Sequence, residues 1–305
     1  MMKLRVFLPL LLLGTVSCYK NVALRGTASQ ISQYDSMFGA ASNAIDGNRA
    51  ATFKGGSCTH SRETRDPWWR VDLLRPYIVT SITVTNRGDC CEHRLNGLEV
   101  RVGNATLESP KVGMIPKAGA GETITMNFTE QVEGRYVTLL LPGRAKILTL
   151  CEVEVYGYPA PTGENLALKG KASQSSLHMF SYAFNAIDGN RDTKFERGSC
   201  SQTANEISPW WRLDLRKTHK IFTVKVVNQE SNPQQLDGAG IYIGDSLENG
   251  GNRNPRCAVI LEMEAGELVE FNCNGMEGRY VSIVIPDREG SLVLCEVEVY
   301  GSPLD

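Results

Sequence analysis

The chain has 305 residues, a formal net charge of −2 and 22% charged side chains. That length holds two ordinary domains, and the near-neutral balance gives no pull toward nucleic acid or an anionic membrane. Four histidines and no GxSxG, HExxH or phosphate-loop string leave little means of catalysis.

The N-terminus reads Met-Met-Lys-Leu-Arg, then a mostly apolar run to Leu13 and small residues up to Cys18. A basic start, a short apolar stretch and a small-residue exit predict a secretory signal peptide over residues 1–18. Cleavage after Ser17 or after Cys18 is left open. The run is too short to span a bilayer, and no later segment is long enough. The expectation is a secreted, extracellular chain without membrane insertion.

Short alternating runs rich in Val, Ile and Thr follow: Ile78–Thr85, Leu98–Val102, Arg135–Leu141 and Glu152–Tyr156. Period-two alternation is strand chemistry, and Gly, Asn, Asp and Pro punctuate the gaps. No convincing helical stripe exceeds about ten residues. An all-β sandwich or barrel is predicted, with function on loops at one end. Two N-x-[ST] sequons, at Asn104 and Asn127, are glycosylation candidates in an exported chain.

After a Pro-bearing linker at 158–164 the sequence begins again. Asn43–Arg49 recurs at Asn185–Arg191, Pro67-Trp-Trp-Arg recurs from Pro209, and Cys151-Glu-Val-Glu-Val-Tyr-Gly recurs from Cys295, at offsets of 142 to 144 residues. A repeat that long is a whole domain rather than a solenoid unit. The domains are therefore placed at 19–157 and 165–305. Duplication supplies an internal control: shared residues build the fold, and chemistry in one copy marks divergence. All four tryptophans lie in the two Pro-Trp-Trp-Arg strings. Adjacent strand residues face opposite ways, so one Trp of each pair is expected in the core and the other at an edge.

Beyond Cys18, each copy carries four cysteines, and an oxidising compartment favours disulfides. The repeat pairs Cys58 with Cys151 and Cys200 with Cys295. That leaves Cys90 with its neighbour Cys91, and Cys257 with Cys273. A bond between adjacent cysteines closes a tight ring, because consecutive α-carbons sit about 3.8 Å apart where disulfides prefer roughly 4.4–6.8 Å. Such a ring is a stiff apolar platform for a flat ligand face. The alternative leaves the two thiols free or separately paired.

In the first copy His60 is followed, after 26 intervening residues, by Arg87-Gly-Asp-Cys-Cys-Glu-His-Arg94. This spacing, His-x26-Arg-x-Asp-x4-Arg, resembles the fucose-recognition motif of the F-type lectins (fucolectins, tachylectin-4-like). The shared strings resemble the same family over nearly all of both copies, and the arrangement looks like a tandem fish-type fucolectin. The resemblance implies two jelly-roll domains of the discoidin or galactose-binding kind. It also implies that His60, Arg87 and Arg94 bind the 4-OH, 3-OH and ring oxygen of α-L-fucose. Two guanidiniums and an imidazole form a trio rich in donors, which agrees with that task. Asp89 would hold an arginine, the Cys90–Cys91 ring would lie against the sugar, and Phe53 would line a pocket for the 6-methyl group. Lys54 departs from the family's adjacent aromatic, and the loop Ile31–Gly39 is the variable one. Fucosylated glycans on cell or microbial surfaces, met in innate recognition, are the partners implied.

The second copy breaks the motif. His60 aligns with Gln202, Arg87 with Gln229, Asp89 with Ser231, and the cysteine pair with Asn232-Pro233. Arg94 has no basic counterpart in Gln234-Gln235-Leu236. Fucose binding by the same mechanism is not expected there. Both copies keep another set: Asn43, Asp46, Asn48, Ser57 and Glu152, matched by Asn185, Asp188, Asn190, Ser199 and Glu296. Hard oxygen donors suit Ca²⁺, although a plain Asx turn competes on residue chemistry alone. The resemblance implies a structural calcium in each domain, bound partly through backbone carbonyls.

An enzyme is disfavoured, since a glycosidase needs two facing carboxylates and the motif brings only Asp89. Arg87-Gly-Asp89 spells an integrin tripeptide, which needs an exposed, projecting loop; if its Arg and Asp serve the sugar site that the resemblance implies, they are not free for an integrin. The rival reading is a discoidin-like adhesion module binding membranes or proteins through the apolar tips Tyr34–Phe38 and Leu177–Phe180. Agglutination by a chain with one sugar site would require self-association, so a homo-oligomer is a partner to test for.

Overall fold

A computed structural model describes residues 19–106 and 108–304. The signal-peptide reading over 1–18, Cys18 included, lies outside the described residues. Strands and short 3₁₀ turns make up all the regular structure among them, with no α-helix. The contacts divide into two compact units after Gly157.

In the first unit the strands are β1 (Thr27–Gln30), β2 (Trp68–Thr85), β3 (Leu98–Gly103), β4 (Lys111–Ile115), β5 (Thr123–Leu140) and β6 (Glu152–Pro159). They pair in the order β1-β2-β5-β3-β4, with β6 also on β2. The β1–β2, β2–β5, β3–β5 and β3–β4 pairings are antiparallel. β2 and β5 are longer than alternation alone indicated. The Trp-Trp string and the run Ile78–Thr85 belong to one 18-residue strand, broken in register between Asp72 and Tyr77.

A local device makes that bend. Asp72 Oδ1 accepts the Leu74 N–H at 2.8 Å, and Leu74 takes φ 69°. Arg135 on β5 clamps the same carboxylate through Nε and Nη2 at 2.7 and 2.8 Å. Asp214, Arg216 and Arg279 repeat the arrangement in the second unit. Such a bulge turns a strand and sharpens its twist, so both halves of β2 face one core. That core runs from Trp69 and Val71 through Ile82 and Val84 to Val137, Leu139, Val153 and Val155.

Each Trp pair divides as strand geometry requires. Trp69 and Trp211 are buried, and their indole N–H groups donate to the carbonyls of Ala41 and Ala183 at 2.9 and 3.0 Å. Trp68 and Trp210 are only half-buried, under the guanidiniums of Arg70 and Arg212. Truncating a buried Trp to Ala typically costs about 3–5 kcal/mol.

The chain ends of each unit are stitched together. Asn21 Oδ1 accepts from Ala23 N–H, starting a 3₁₀ turn, and from Val155 N–H on β6. Asn165 does the same for Ala167 and Val299. Disulfides Cys58–Cys151 and Cys200–Cys295 close segments of 93 and 95 residues. By chain entropy, loops of that size are worth about 4–5 kcal/mol. Cys257 pairs with Cys273, and Cys90 with Cys91. β6 continues to Pro159, so the stretch read as a linker begins inside a strand. Of the two sequons, Asn127 is exposed on β5, while Asn104 uses its Oδ1 to accept the Arg135 N–H at 3.0 Å.

Candidate functional site

The candidate site lies where the loops before β2 and after β2 meet. A wholly buried residue, Asn86, sets the second loop. Its amide donates to the carbonyls of Glu92 and Gly119 at 3.0 and 2.9 Å and accepts the Arg87 N–H at 2.8 Å. The loop is thus closed on itself and pinned to its neighbour. Cys91 then takes φ 60° and starts the 3₁₀ turn Glu92–Leu95, whose buried Leu95 anchors Arg94.

His60 is buried, and Arg94 reaches it: Nη1 lies 3.2 Å from His60 Nε2. His60 Nδ1 lies 2.7 Å from the Ser61 carbonyl, which can only accept. The network therefore assigns the proton to Nδ1, and Nε2 is an acceptor. Burial lowers the His60 pKa; the Ser61 hydrogen bond opposes this, and the charges of Arg94 and Arg87 reinforce it. The ring stays neutral at neutral pH.

Arg87 is buried too, with Nε donating to Asp89 Oδ1 at 2.6 Å. Its guanidinium covers the Phe53 ring at 4.6 Å. The Asp89 carboxyl is held below the usual range first by Arg87, and further by the backbone N–H groups of Phe53 and Lys54. Asp89 therefore ties Arg87 to the turn that carries Phe53. Neither end of Arg87-Gly-Asp89 is free for an integrin.

The loop Ile31–Gly39 wraps His60 rather than projecting as a bare tip. Tyr34 N–H donates to the His60 carbonyl at 2.9 Å, and His60 N–H to the Gly39 carbonyl at 3.1 Å. Gly39 has φ +82°, and a Cβ there would stand 2.9 Å from His60 Cβ. Tyr34 leans on the imidazole at 4.6 Å, Phe53 lies 5.1 Å from it, and Phe38 faces Phe53 at 6.4 Å. The result is a polar cluster with an aromatic wall. Beyond their mutual contacts, Arg87 Nη1 and Arg94 Nε and Nη2 have no partner among the described residues. Such a surface suits a small neutral ligand with hydroxyls on one side and an apolar face on the other.

The profile of a family described as NedA-like, galactose-binding domain matches residues 43–139 and again 185–283. The fucolectin of Anguilla anguilla is 47% identical over 143 residues, which are 45% of this chain and 90% of that protein. Fucolectin-4 of Anguilla japonica is also 47% identical over 143 residues, covering 79% of its own length. A crystal structure of an F-lectin (fucolectin) from striped bass (Morone saxatilis) serum superposes with a TM-score of 0.92. Its identity is 62%, over 94% of this chain and 99% of that one. This chain belongs to the fucolectin family. Its two domains are tandem all-β fucolectin domains of the discoidin-like kind.

In this fucolectin the second domain keeps the loop frame and changes the chemistry. Buried Asn228 holds Gln229 as Asn86 holds Arg87. Gln229 Nε2 donates to the Asn232 carbonyl at 3.2 Å and to Gln235 Oε1. Gln235 precedes buried Leu236 just as Arg94 precedes Leu95. Sequence alignment left Arg94 without a basic counterpart; the fold puts an amide there. Ser231 stands exposed at the position of Asp89, and Asn232-Pro233 occupies the disulfide turn.

The shared oxygen set gathers at the Asp-Gly-Asn turn in both domains. Asp46 Oδ1 accepts the Asn48 N–H at 2.8 Å, and Asn48 Oδ1 accepts the Ala50 N–H at 3.1 Å. Asn43 donates its amide to the carbonyls of Gly56 and Cys58, and Ser57 its hydroxyl to Ala50 or Thr52. Glu152 Oε1 accepts the Gly47 N–H at 3.1 Å, but Oε2 is buried with no partner among the described residues. Asp188, Asn190, Asn185, Ser199 and Glu296 repeat this, orphaned Oε2 included. Burial, then the charge of the nearby Asp, pushes Glu152 up to about 7 and Glu296 to about 8. A buried carboxyl oxygen beside a second carboxylate fits either a bound cation or a proton held on the acid. No group of three or more His, Cys, Asp or Glu gathers among the described residues, so amide, hydroxyl and carbonyl oxygens would complete the set.

Residues that single-motif reading missed tie the shared strings together. Arg49 of the first string pairs with Glu154 of the last at 2.7 Å, and Arg191 pairs with Glu298. Asn86 and Asn228 stand 142 residues apart, the offset of the repeat, which was the available signal.

Proposed function

We propose that this fucolectin is a secreted lectin whose first domain binds α-L-fucose-terminated glycans through His60, Arg87 and Arg94. It belongs with lectins rather than enzymes, as its fucolectin relatives are named. The observation that carries the reading is the convergence of Arg94 on His60 beside Asp89-held Arg87, against the Phe53 ring. Guanidinium donors can bond hydroxyl oxygens, and His60 Nε2, whose single lone pair Arg94 Nη1 faces at 3.2 Å, would take a hydroxyl proton in place of Arg94. The aromatic wall offers an apolar face for the 6-methyl group, and the Cys90–Cys91 ring a second flat surface. A calcium ion in each domain, held by the Asn43–Glu152 and Asn185–Glu296 sets, would serve the fold by neutralising Glu152 and Glu296. Recognition of fucosylated cell or microbial surfaces is the biological role proposed. Elution of the full chain from a fucose column by free L-fucose tests the reading; passage through the column unretained sinks it.

A further inference from the structure

The sequon at Asn127 lies on β5, where period-two alternation decides what it presents. Ile124, Met126 and Phe128 pack toward the core, while Thr123, Thr125, Asn127 and Thr129 are exposed. Both residues that define the sequon therefore face solvent together. Just past Asn127 the strand leaves register. Asn127 pairs with Ser81 and Val132 with Val79, so residues 128–131 stand against Thr80 alone. Beside this excursion lies a groove of about 560 Å³, lined by Val102, Pro110, Val112, Phe128, Val132 and Asn127 itself. Its far wall is β4, an edge strand that pairs only with β3 among the described residues. The second domain treats the same place with a covalent tie. Strand register puts Asn272 at the position of Asn127, Cys273 at Phe128 and Cys257 at Val112. There the Cys257–Cys273 disulfide fastens the edge strand Arg256–Val259 to the strand Leu268–Val284. Asn272-Cys-Asn274 is not a sequon. At matched positions one copy holds a disulfide and the other a sequon beside an open groove.

We infer that Asn127 carries an N-linked glycan whose first sugars cover this groove and hold β4 in place, as the disulfide does in the second domain. The inference rests on the reading of an exported chain, because the glycosyl donor is met on export. In the transfer Asn127 Nδ2 gives up one hydrogen and bonds the anomeric carbon of an N-acetylglucosamine. The leaving group is the diphosphate of a lipid-linked oligosaccharide. The Asn127 side chain is available, making no hydrogen bond among the described residues. Asn104 is engaged: its Oδ1 accepts the Arg135 N–H, and its Nδ2 lies 3.4 Å from Glu133 Oε1. Asp245, which has no amide, accepts the Arg279 N–H in the same way at 2.9 Å. The fold thus accounts for Asn104 and not for Asn127. A pyranose would turn an apolar face to Val112 and Phe128 and its hydroxyls to water. Covering an edge strand also keeps it from pairing with another chain, and a glycan is a bulky, solubilising cover.

The test expresses the full sequence in animal cells, collects the protein from the medium and measures peptide masses. The peptide holding Asn127 should carry hexosamine. Asn127→Gln and Thr129→Ala should each remove that mass, whereas Thr129→Ser should keep it. Both positions are exposed, so the fold tolerates these changes. In Thr129→Ala, hydrogen exchange of Lys111–Ile115 should lose protection relative to Thr129→Ser, while Arg256–Val259 exchanges alike in both. A secreted chain bare at Asn127 overturns the inference and leaves the export reading standing. A chain that stays in the cell without glycan overturns both. A glycan on Asn127 whose removal leaves exchange of Lys111–Ile115 unchanged also overturns the inference, since the groove would then need no cover.

Discussion

At the residue scale, His60 and Arg87 do different work although both are buried beside the proposed sugar position. Arg87 supplies charged donors, and a charged hydrogen bond is worth about 1.5–3 kcal/mol. Arg87→Ala is therefore expected to weaken L-fucose binding roughly ten- to a hundred-fold by isothermal titration; unchanged affinity would remove Arg87 from the site. His60 acts as a neutral acceptor at Nε2, and burial lowers its pKa from the ordinary 6.5. Acid should therefore weaken binding, with the loss setting in below the ordinary imidazole value as Nε2 gains a proton facing Arg94. In this window binding selects the neutral ring, so protons are released on binding. Titrations in two buffers of different ionisation enthalpy measure that release, and proton uptake would reverse the assignment of roles. The same lowered pKa means the folded state binds fewer protons than the unfolded chain, so this residue's contribution to stability also falls as pH drops through that range.

At the scale of elements, loop closure depends on one amide per domain. Asn86 and Asn228 are wholly buried, and each holds two carbonyls and the next backbone N–H. Replacing either with Ala strands those groups, at a cost of about 1–3 kcal/mol. Asn86→Ala is expected to melt its domain earlier and to weaken fucose binding together with it. Asn228→Ala should lower stability while leaving fucose affinity unchanged; a matching fall in affinity would mean the two loops are not separate. Strand chemistry was legible as alternation in Ile78–Thr85 and Leu98–Val102. Its extent was not, because Leu74 turns β2 through a left-handed residue that no hydrophobic period marks. The residues that gather around His60 were legible through spacing. Which nitrogen of His60 is left to face Arg94 depends on a carbonyl one residue away, and Tyr34 reaches the ring from a loop with no motif. The pairing of the glutamines was not legible in alignment, because only the fold puts Gln235 against Gln229.

At the scale of the whole molecule, the duplication separates what serves the fold from what serves the ligand. The trio proposed to bind the sugar is present in one domain, whereas the Asp-Gly-Asn turn and its distant glutamate stand in both, each with an orphaned Oε2. An ion serving the sugar alone would have been free to disappear with the trio. Equilibrium dialysis of the full chain should therefore count two calcium ions, and Glu152→Gln or Glu296→Gln should each remove one. A ligand that binds only the folded state stabilises it by about 2.7 kcal/mol at a hundred times its dissociation constant, so EDTA should lower the melting temperature of both domains. The glutamine variants guard against misreading a general effect of chelation. In Glu296→Gln the second domain should melt alike with and without calcium, while the first still responds. If dialysis counts two ions in that variant, or none in the unmodified chain, the oxygen set at Asn185, Asp188, Asn190, Ser199 and Glu296 is a turn and not an ion site.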